Sequence, residues 1–356
     1  MEVVLSQQRF LNFKQMAVPR KIVFTAPNKN KLHPKIQQRI EELKAKNNNW
    51  GIFIFDDHQI EIFIEENYDE FCLDVYRSIN PKLGPAKADL FRYLYIYKRG
   101  GVYLDIKSSF TGSFSKLINE QDDFIVSSWG KTHPGWGIYK ELGKIKEFQQ
   151  WFIISSPGNP IIKEIINKCL LNLSFYNPGI FGVGKTGVVR TTGPVTFTQE
   201  MIRSETKGWR RVNSEGEGLI YSIFGDGFSE HGVAFKNHYL DLTEDVVAKE
   251  QFINREKYKK EIQNLITLND QKINRSKSKV KEFKLHEYSI EQLKKELELN
   301  PTDFFVLSQL SKNLIAAKKF KEAIEILKLQ VILRPYCRQS YETIFNVQEA
   351  SRQDIS

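Results

Sequence analysis

The order of apolar and polar positions predicts alternating strands and helices in the first quarter of the chain. Short apolar runs at 22–25 and 50–55 predict two buried strands, each ending at turn-forming residues. Between them, apolar residues recur every three or four positions over 34–47, which predicts a helix. Residues 60–76 also show helical spacing. The order strand, helix, strand, helix is typical of an α/β fold in which the first strands pair in parallel.

The next segment predicts a long helix followed at once by a strand. Pro85 is suited to the first turn of a helix that runs to Lys98, and two glycines at 100–101 end it. A strand follows at 102–104, with Asp105 at its carboxyl end. Further on, the pattern predicts short strands at 124–126 and 151–154 and a helix at 160–173. Residues 176–240, rich in glycine and β-branched residues, are predicted to form loops and short strands.

The last third of the chain has a different pattern. Residues 249–284 are polar and lysine-rich, which indicates a charged linker or an exposed helix. Beyond them, Pro301 and Pro335 lie 34 residues apart with leucines and small residues between them, a spacing that resembles a tetratricopeptide repeat. Half-repeats at 289–300 and 339–350 flank it. So few repeats do not form a stable unit alone, so we expect them to pack on the main domain or on another chain.

These patterns divide the chain into four segments. We predict an N-terminal extension at 1–19, an α/β domain at 20–247, a charged linker at 248–286 and a helical segment at 287–356. A length of 356 residues is consistent with roughly two domains.

Charge is distributed unevenly along the chain. The formal net charge is +9, but residues 1–50 carry +7, residues 51–250 carry −4 and residues 251–356 carry +6. Because the excess lies at the two ends, and no basic stretch is interleaved with aromatic residues, we expect no nucleic-acid partner. The basic ends instead suggest contact with an anionic surface or acceptor, or a contribution to solubility alone.

Cysteine content and hydropathy indicate the compartment. The cysteines, at positions 72, 169 and 337, are too few and too far apart for a disulfide framework or a zinc site. No apolar run reaches the roughly 20 residues that a transmembrane helix needs. The first residues lack the apolar core of a signal peptide. The sequence therefore predicts a cytoplasmic protein, with peripheral association at a membrane as an alternative.

Candidate chemistry is concentrated at 85–108. Asp89 and Arg92 stand three residues apart and so share one helix face, where a carboxylate can accept hydrogen bonds from sugar hydroxyls and a guanidinium can donate two in parallel. The glycine pair allows a tight reversal. The following strand brings Asp105 to its carboxyl end, which is the usual ligand-binding edge of an open α/β sheet.

This segment resembles the sugar-binding region of glycosyltransferase family 32, with its pattern A-x-x-D-x-x-R-Y-x-x-L-x-x-x-G-G-x-Y-x-D-x-D. The residues that fall on the pattern are Asp89, Arg92, Tyr93, Gly100, Gly101, Tyr103 and Asp105. Weaker similarity extends over about 20–245 and includes Thr192-Gly193-Pro194. The resemblance implies a GT-A-type, Rossmann-like mixed sheet flanked by helices, here with a small all-α C-terminal appendage. It also implies transfer of a hexose from a UDP- or GDP-sugar, with retention of configuration, to a glycan, lipid-linked or protein acceptor.

The resemblance also implies roles for individual residues. Asp89, Arg92 and Asp105 are the expected catalytic residues. The expected donor-binding residues are Phe24, Thr25, Asp89, Arg92, Tyr93, Gly101, Tyr103, Asp105, Lys107, Ser108 and His238. The C-terminal helices are expected to offer a surface for a protein partner.

One departure from the pattern concerns the metal. The family normally uses Mn²⁺ or Mg²⁺, which two carboxylates bring to the diphosphate, but the second acid of the motif is Lys107 here. In one hypothesis Lys107 contacts the diphosphate and the metal is weak or dispensable. In the other, Asp105 still holds the ion with help from more distant groups, for which Asp226 and His238 are candidates.

Two alternative functions remain at the level of the sequence. The altered motif is compatible with a degenerate enzyme that binds without catalysis and recruits partners through its helices. In addition, residues 179–186 fit the phosphate-binding pattern G-x-x-x-x-G-K-[ST] of a nucleotide-dependent phosphotransferase. However, a turn precedes them, and the glycines, valines and threonines that follow disfavour the required helix. We therefore expect a glycine-rich loop there.

Overall fold

The structure is a computed structural model that describes residues 18–130, 133, 135–204, 208–224, 242–277 and 288–353. Almost all of the predicted N-terminal extension, His238, Asp226 and part of the predicted linker lie outside these residues.

The described residues form a mixed α/β unit followed by a group of helices. The strands are β1 Lys21–Thr25, β2 Gly51–Phe55, β3 Gly101–Leu104, β4 Ser109–Phe110, β5 Phe124–Val126, β6 Phe152–Ser155, β7 Arg210–Arg211 and β8 Leu219–Ile220. The helices of the first part are α1 Pro34–Lys46, α2 Asp57–Asn67, α3 Glu70–Ser78, α4 Gly84–Arg99, α5 Phe114–Leu117, α6 Pro160–Ser174, α7 Pro178–Phe181, α8 Gly184–Thr191 and α9 Pro194–Arg203. The later helices are α10 Lys259–Lys277, α11 Ile290–Leu299, α12 Phe304–Ala316, α13 Phe320–Leu333 and α14 Arg338–Gln353.

Six strands form the central sheet in the order β2-β1-β3-β6-β5-β7. β1 pairs in parallel with β2 and β3, whereas β6 runs antiparallel to both β3 and β5. The predicted mixed sheet flanked by helices is therefore confirmed. As a result, the carboxyl ends of β1, β2, β3 and β5 and the amino end of β6 share one edge. In an open α/β sheet this is the edge where ligands bind.

The connection from α4 to β3 requires both of its glycines. Gly100 has φ of +61° and Gly101 has φ of +102°, in the region that side chains disfavour. A Cβ at Gly101 would lie 2.7 Å from the Lys21 carbonyl oxygen, and one at Gly100 would lie 2.7 Å from Pro157 Cδ. The chain can therefore pass directly from the buried helix into the central strand, which fixes the position of Asp105 relative to α4.

The expectation of loops throughout 176–240 is wrong for the segment that forms α7, α8 and α9. Burial outweighs the low helix propensity of its residues, because Val188, Val195 and Phe197 are almost fully buried in the core. The Thr191 hydroxyl donates to the Gly187 carbonyl at 2.8 Å, so this polar group has a hydrogen-bond partner within the buried helix.

The geometry of α8 also differs from that of a phosphate-binding loop. The short helix α7, and not a strand, precedes it. The Gly184 N–H donates to the Glu244 carbonyl at 2.8 Å, and a Cβ at Gly184 would lie 1.7 Å from the Leu242 carbonyl oxygen. The start of α8 is thus covered by the chain itself, which leaves no room for a phosphate.

The C-terminal helices pack on the α/β unit, one of the two arrangements expected from the sequence. α12 and α13 form the helical pair between the two prolines. The ammonium group of Lys168, on α6, donates to the carbonyls of Ile332 and Leu333 at 2.7 and 3.0 Å. Asn269, on α10, also donates to Leu333 at 3.0 Å. The last turn of α13 is therefore capped by side chains from outside its own helical group.

Among the described residues, no helix combines the length and the apolar character needed to cross a bilayer.

Candidate functional site

A buried guanidinium joins two carboxylates at the ligand-binding edge of the sheet. Arg92 Nη2 lies 2.8 Å from Asp89 Oδ1 and 3.1 Å from Asp105 Oδ1. Asp89 and Arg92 project from one face of α4, as their spacing predicts, and Asp105 follows β3. The side chains of Asp89 and Arg92 are each 5% exposed, whereas that of Asp105 is 23% exposed. Asp105 is therefore the carboxylate of this group that is most open to a ligand.

Arg92 is held rigidly by groups other than the two carboxylates. Its Nη1 donates to the Gln150 carbonyl at 2.7 Å, and its Nε donates to the Ala88 carbonyl at 3.3 Å. The guanidinium carbon lies 4.8 Å from the centre of the Tyr103 ring. Because most of its donors are already engaged, Arg92 fixes the two carboxylates in place and leaves little donor capacity for a ligand.

Asp89 receives hydrogen bonds from two further side chains. Gln150 Nε2 donates to Oδ1 and Thr192 Oγ1 donates to Oδ2, both at 3.2 Å. Burial raises the pKa of Asp89 to about 7, an effect that Arg92 opposes and the nearby charge of Asp105 reinforces. A sugar hydroxyl that reached Asp89 would have to bind a carboxylate oxygen that already accepts a hydrogen bond.

Two tyrosines complete the surroundings of the carboxylates. The Tyr103 hydroxyl lies 3.0 Å from Thr25 Oγ1 and 3.4 Å from Asp105 Oδ1, so it links the end of β1 to the end of β3. The Tyr93 hydroxyl lies 2.9 Å from the Thr192 carbonyl oxygen and also contacts the Gln150 side chain. Four segments that are distant in sequence therefore meet around Asp89 and Asp105.

Lys107 lies against Tyr221, beside this group. Its Nζ donates to the Tyr221 hydroxyl at 2.7 Å and stands 4.1 Å from the centre of that ring. Burial lowers the pKa of Lys107, while Asp105 raises it. The Ser108 hydroxyl donates to the Tyr221 carbonyl at 2.8 Å. A positive charge is thus placed close to Asp105, at the position where the family pattern has its second acid.

Some of the donor-binding residues predicted from the resemblance also have clear structural roles. Phe24 is 1% exposed, and its side chain packs in the core. Gly101 pairs with Ser155 in the sheet and serves the tight turn before β3. Ser108 holds the segment that carries Tyr221.

Gln150, Thr192 and Tyr221 are site residues that the sequence reasoning did not assign. Each hydrogen-bonds to a site residue that lies far away in the sequence, and a local sequence pattern does not reveal such a pair. The weak similarity of Thr192-Gly193-Pro194 to the family pattern was the one signal that pointed to any of them.

The described residues of the site do not make up a donor set for a divalent cation. Asp105 contributes one carboxylate, one oxygen of which already faces Arg92 and Tyr103. The next motif position is Lys107, which is a cation itself. Within the described ranges, no three His, Cys, Asp or Glu side chains come together as a metal site.

Comparisons with known proteins show similarity to glycosyltransferases. Residues 34–125 match the family model described as "Glycosyltransferase sugar-binding region containing DXD motif". The chain is 29% identical over 191 residues to the initiation-specific α-1,6-mannosyltransferase of Candida albicans, which covers 48% of each protein. It is 27% identical over 156 residues to inositol phosphoceramide mannosyltransferase 1 of Schizosaccharomyces pombe, which covers 44% of this chain and 42% of that protein.

The chain spans about half the length of these curated relatives or less. Among solved structures it is similar to the PaToxG glycosyltransferase, with a TM-score of 0.40 and 16% identity over 71% of this chain and 88% of the other. Residues 34–125, which bring Asp89, Arg92 and Asp105 together, are the part of the chain that is similar to glycosyltransferase sugar-binding regions, and a C-terminal helical segment follows in the same chain.

Proposed function

We propose that this protein is a retaining glycosyltransferase that moves a hexose from a nucleotide-diphosphate sugar to a hydroxyl acceptor. The observation that carries the proposal is the arrangement of Asp89, Arg92 and Asp105 at the ligand-binding edge, inside the segment that matches the sugar-binding family. Mannose is the first candidate sugar, because both relatives described above are named as mannosyltransferases. GDP-mannose is therefore the first donor to test.

The roles of the carboxylates follow from their exposure. Asp105 is partly open and stands at the end of the central strand, so it is placed to accept hydrogen bonds from donor hydroxyls. Asp89 is buried behind it and shapes the floor of the sugar site together with Gln150 and Thr192. Arg92 pairs with both carboxylates and fixes their positions, so their geometry is set before the donor arrives.

The leaving group needs positive charge, and Lys107 is placed to supply it. When the bond between the anomeric carbon and the phosphate oxygen breaks, the electron pair leaves with the diphosphate, whose negative charge increases. A diphosphate beside Asp105 would reach the ammonium of Lys107, whose contacts in the structure are the hydroxyl and ring of Tyr221. We therefore propose that Lys107 takes over part of the charge that a metal neutralises in enzymes with two motif acids.

Retention requires no protein nucleophile in this scheme. The acceptor oxygen forms its bond to the anomeric carbon on the same face that the phosphate leaves. Its proton passes to the departing phosphate oxygen, so the atoms and charges balance without a separate base.

A screen of nucleotide-sugars tests this function. The wild-type protein is incubated with GDP-mannose, UDP-glucose and UDP-galactose, and release of the nucleoside diphosphate is measured with and without an oligosaccharide acceptor. We expect turnover of at least one donor, and NMR of the transferred sugar should show the anomeric configuration of the donor. Inverted product would contradict the retaining mechanism.

Catalytic degeneracy is the second candidate, and Lys107 at the second acid position is the observation that favours it. In that case a nucleotide-sugar would bind without being cleaved. Saturable binding of a donor in calorimetry, together with no release of nucleoside diphosphate, would support this alternative over the enzyme.

A further inference from the structure

A cluster of aromatic rings lies beside the proposed reaction centre, and apart from Tyr221 its members have no role in the mechanism described so far. The rings of Trp129 and Trp136 lie 4.9 Å apart, and Tyr221 stands 5.1 Å from Trp129 and 5.5 Å from Trp136. The contacts are edge-to-face, at interplanar angles of 70°, 87° and 89°. This is a favoured geometry for aromatic pairs, and it fixes each ring relative to the other two.

The sheet topology places this aromatic cluster and Thr25 on opposite sides of Asp105. Thr25 ends β1, which neighbours β3 on one side, whereas Trp129 follows β5, which lies beyond β6 on the other. Thr25 is linked to Asp105 through hydrogen bonds of Tyr103, and Tyr221 of the cluster binds Lys107, which follows Asp105 by two residues. A nucleotide that extends from Asp105 toward β1 therefore leaves the side of β5 open to a second substrate.

Exposure differs sharply within the cluster. Trp129 is 8% exposed and packs in the core, but Trp136 is 41% exposed. Near the outer rim, His133 Nδ1 lies 3.0 Å from Glu215 Oε1, and the His133 ring centre lies 4.8 Å from that of Trp136. A partly exposed indole with a polar rim matches a sugar ring, which has apolar C–H faces and hydroxyls around its edge.

The chain around Trp136 is built to hold it in place. Gly137 has φ of +73°, and a Cβ there would lie 2.5 Å from Trp129 Cδ1 and 2.7 Å from Glu147 Cγ. Glu147 is 6% exposed, accepts a hydrogen bond from Trp129 Nε1, and donates its own N–H to the Gly137 carbonyl at 2.9 Å. Glu147 thus anchors the inner tryptophan through its carboxylate and the turn that presents the outer one through its backbone N–H.

We propose that Trp136, supported by Trp129 and Tyr221, is the acceptor subsite and that the acceptor is a carbohydrate whose ring stacks on the exposed face of Trp136. The inference rests on the proposed glycosyl transfer and specifies its second substrate. Tyr221 then has two roles, since it holds Lys107 on the donor side and orients Trp136 on the acceptor side.

Kinetics of Trp136 variants separate acceptor binding from donor cleavage. Trp136→Ala should raise the KM for a manno-oligosaccharide acceptor at least about tenfold, which corresponds to about 1.4 kcal/mol. Release of nucleoside diphosphate without acceptor should change much less than the acceptor KM, because Trp136 meets the donor side through Tyr221. Trp136→Phe should recover part of the loss, and Phe345→Ala, at another exposed aromatic position, should have no effect. An unchanged acceptor KM in Trp136→Ala, with donor cleavage intact, would overturn the subsite and leave the proposed function standing.

A binding measurement makes the subsite testable without turnover. The chain has five tryptophans, so protein labelled with 5-fluorotryptophan should give five ¹⁹F resonances, and the one missing in Trp136→Phe identifies Trp136. Addition of mannotriose should shift that resonance in a saturable manner. A shift without turnover of any donor would refute the proposed function but support the subsite. No shift up to 20 mM mannotriose would overturn the carbohydrate subsite.

Discussion

Removal of the Arg92 guanidinium should destabilise the protein strongly, and by an amount that depends on pH. Arg92→Met keeps most of the side-chain volume but leaves the carboxylates of Asp89 and Asp105 without their shared partner. Breaking a buried ion pair by removing one member costs about 3–5 kcal/mol, because a charge remains buried without compensation. Asp105 can regain water because it is 23% exposed, so most of this cost should come from Asp89.

The pH dependence follows from the raised pKa of Asp89, about 7 in the presence of Arg92. Without Arg92 this pKa should rise further, so the native state of the variant binds a proton more tightly than the unfolded state does. The native variant therefore gains stability as the pH falls, and its deficit relative to wild type should shrink between pH 8 and pH 5.

Urea unfolding followed by circular dichroism at several pH values measures this effect. The double variant Asp89→Asn/Arg92→Met should be more stable than Arg92→Met at pH 8, since it no longer buries an unpaired carboxylate. Arg77→Met is the matched control, because Arg77 pairs with Glu61 on the surface and should contribute less than about 1 kcal/mol. A deficit below 1 kcal/mol in Arg92→Met, or one independent of pH, would refute the assignment of Arg92 as the group that holds both carboxylates.

Three further perturbations test other parts of the structure. Lys168→Met should lower the free energy of unfolding by about 1–3 kcal/mol in urea titrations, because the Ile332 carbonyl loses the ammonium donor and the Leu333 carbonyl keeps only its bond from Asn269. No change would show that this contact does not couple the helices to the α/β unit. Burial raises the pKa of Glu147 from 4.5 to about 6, so the ionised carboxylate is less stable in the folded state than in the unfolded state. Glu147→Gln should therefore be more stable than wild type by up to about 2 kcal/mol at pH 8. Thermal unfolding should show this advantage disappear below pH 4.5. An advantage that persists at pH 4 would contradict the buried charge of Glu147 as its cause. If Lys107 supplies charge to the leaving diphosphate, donor cleavage by the wild type should persist in EDTA, and the rate should fall about 100-fold in Lys107→Ala. Strict dependence of the wild type on millimolar Mn²⁺ would contradict this role.

The elements that position the site could be predicted because local patterns and tertiary burial agree there. The strand predicted at 22–25 and the helix predicted from Pro85 onward correspond to β1 and α4, each within two residues at either end. The glycine pair marked the turn between α4 and β3, and the spacing of Asp89 and Arg92 placed them on one helix face. In these segments the apolar spacing, the capping residues and the fold all favour the same structure.

The segment of α8 and α9 could not be predicted because its stabilisation comes from distant contacts. Gly187 looks like a helix breaker in the sequence, yet a Cβ there would lie 2.6 Å from Val246 Cγ2, so the glycine permits close packing. The same limit applies to the site. Gln150 and Thr192 bind Asp89 from 61 and 103 residues away, and Tyr221 binds Lys107 from 114 residues away. Such pairs follow from topology and not from spacing.

The most direct test of the proposed function is donor cleavage by Asp105→Asn. This substitution preserves the shape of the side chain but removes the charge of the most exposed carboxylate in the site. Asp69→Asn is the matched control, because Asp69 caps α3, well away from the ligand-binding edge, and asparagine caps a helix equally well. With the nucleotide-sugar that the wild type cleaves, we expect Asp105→Asn to lose at least about 100-fold in rate while Asp69→Asn keeps wild-type activity. A fully folded Asp105→Asn protein that cleaves the donor at the wild-type rate would contradict the account.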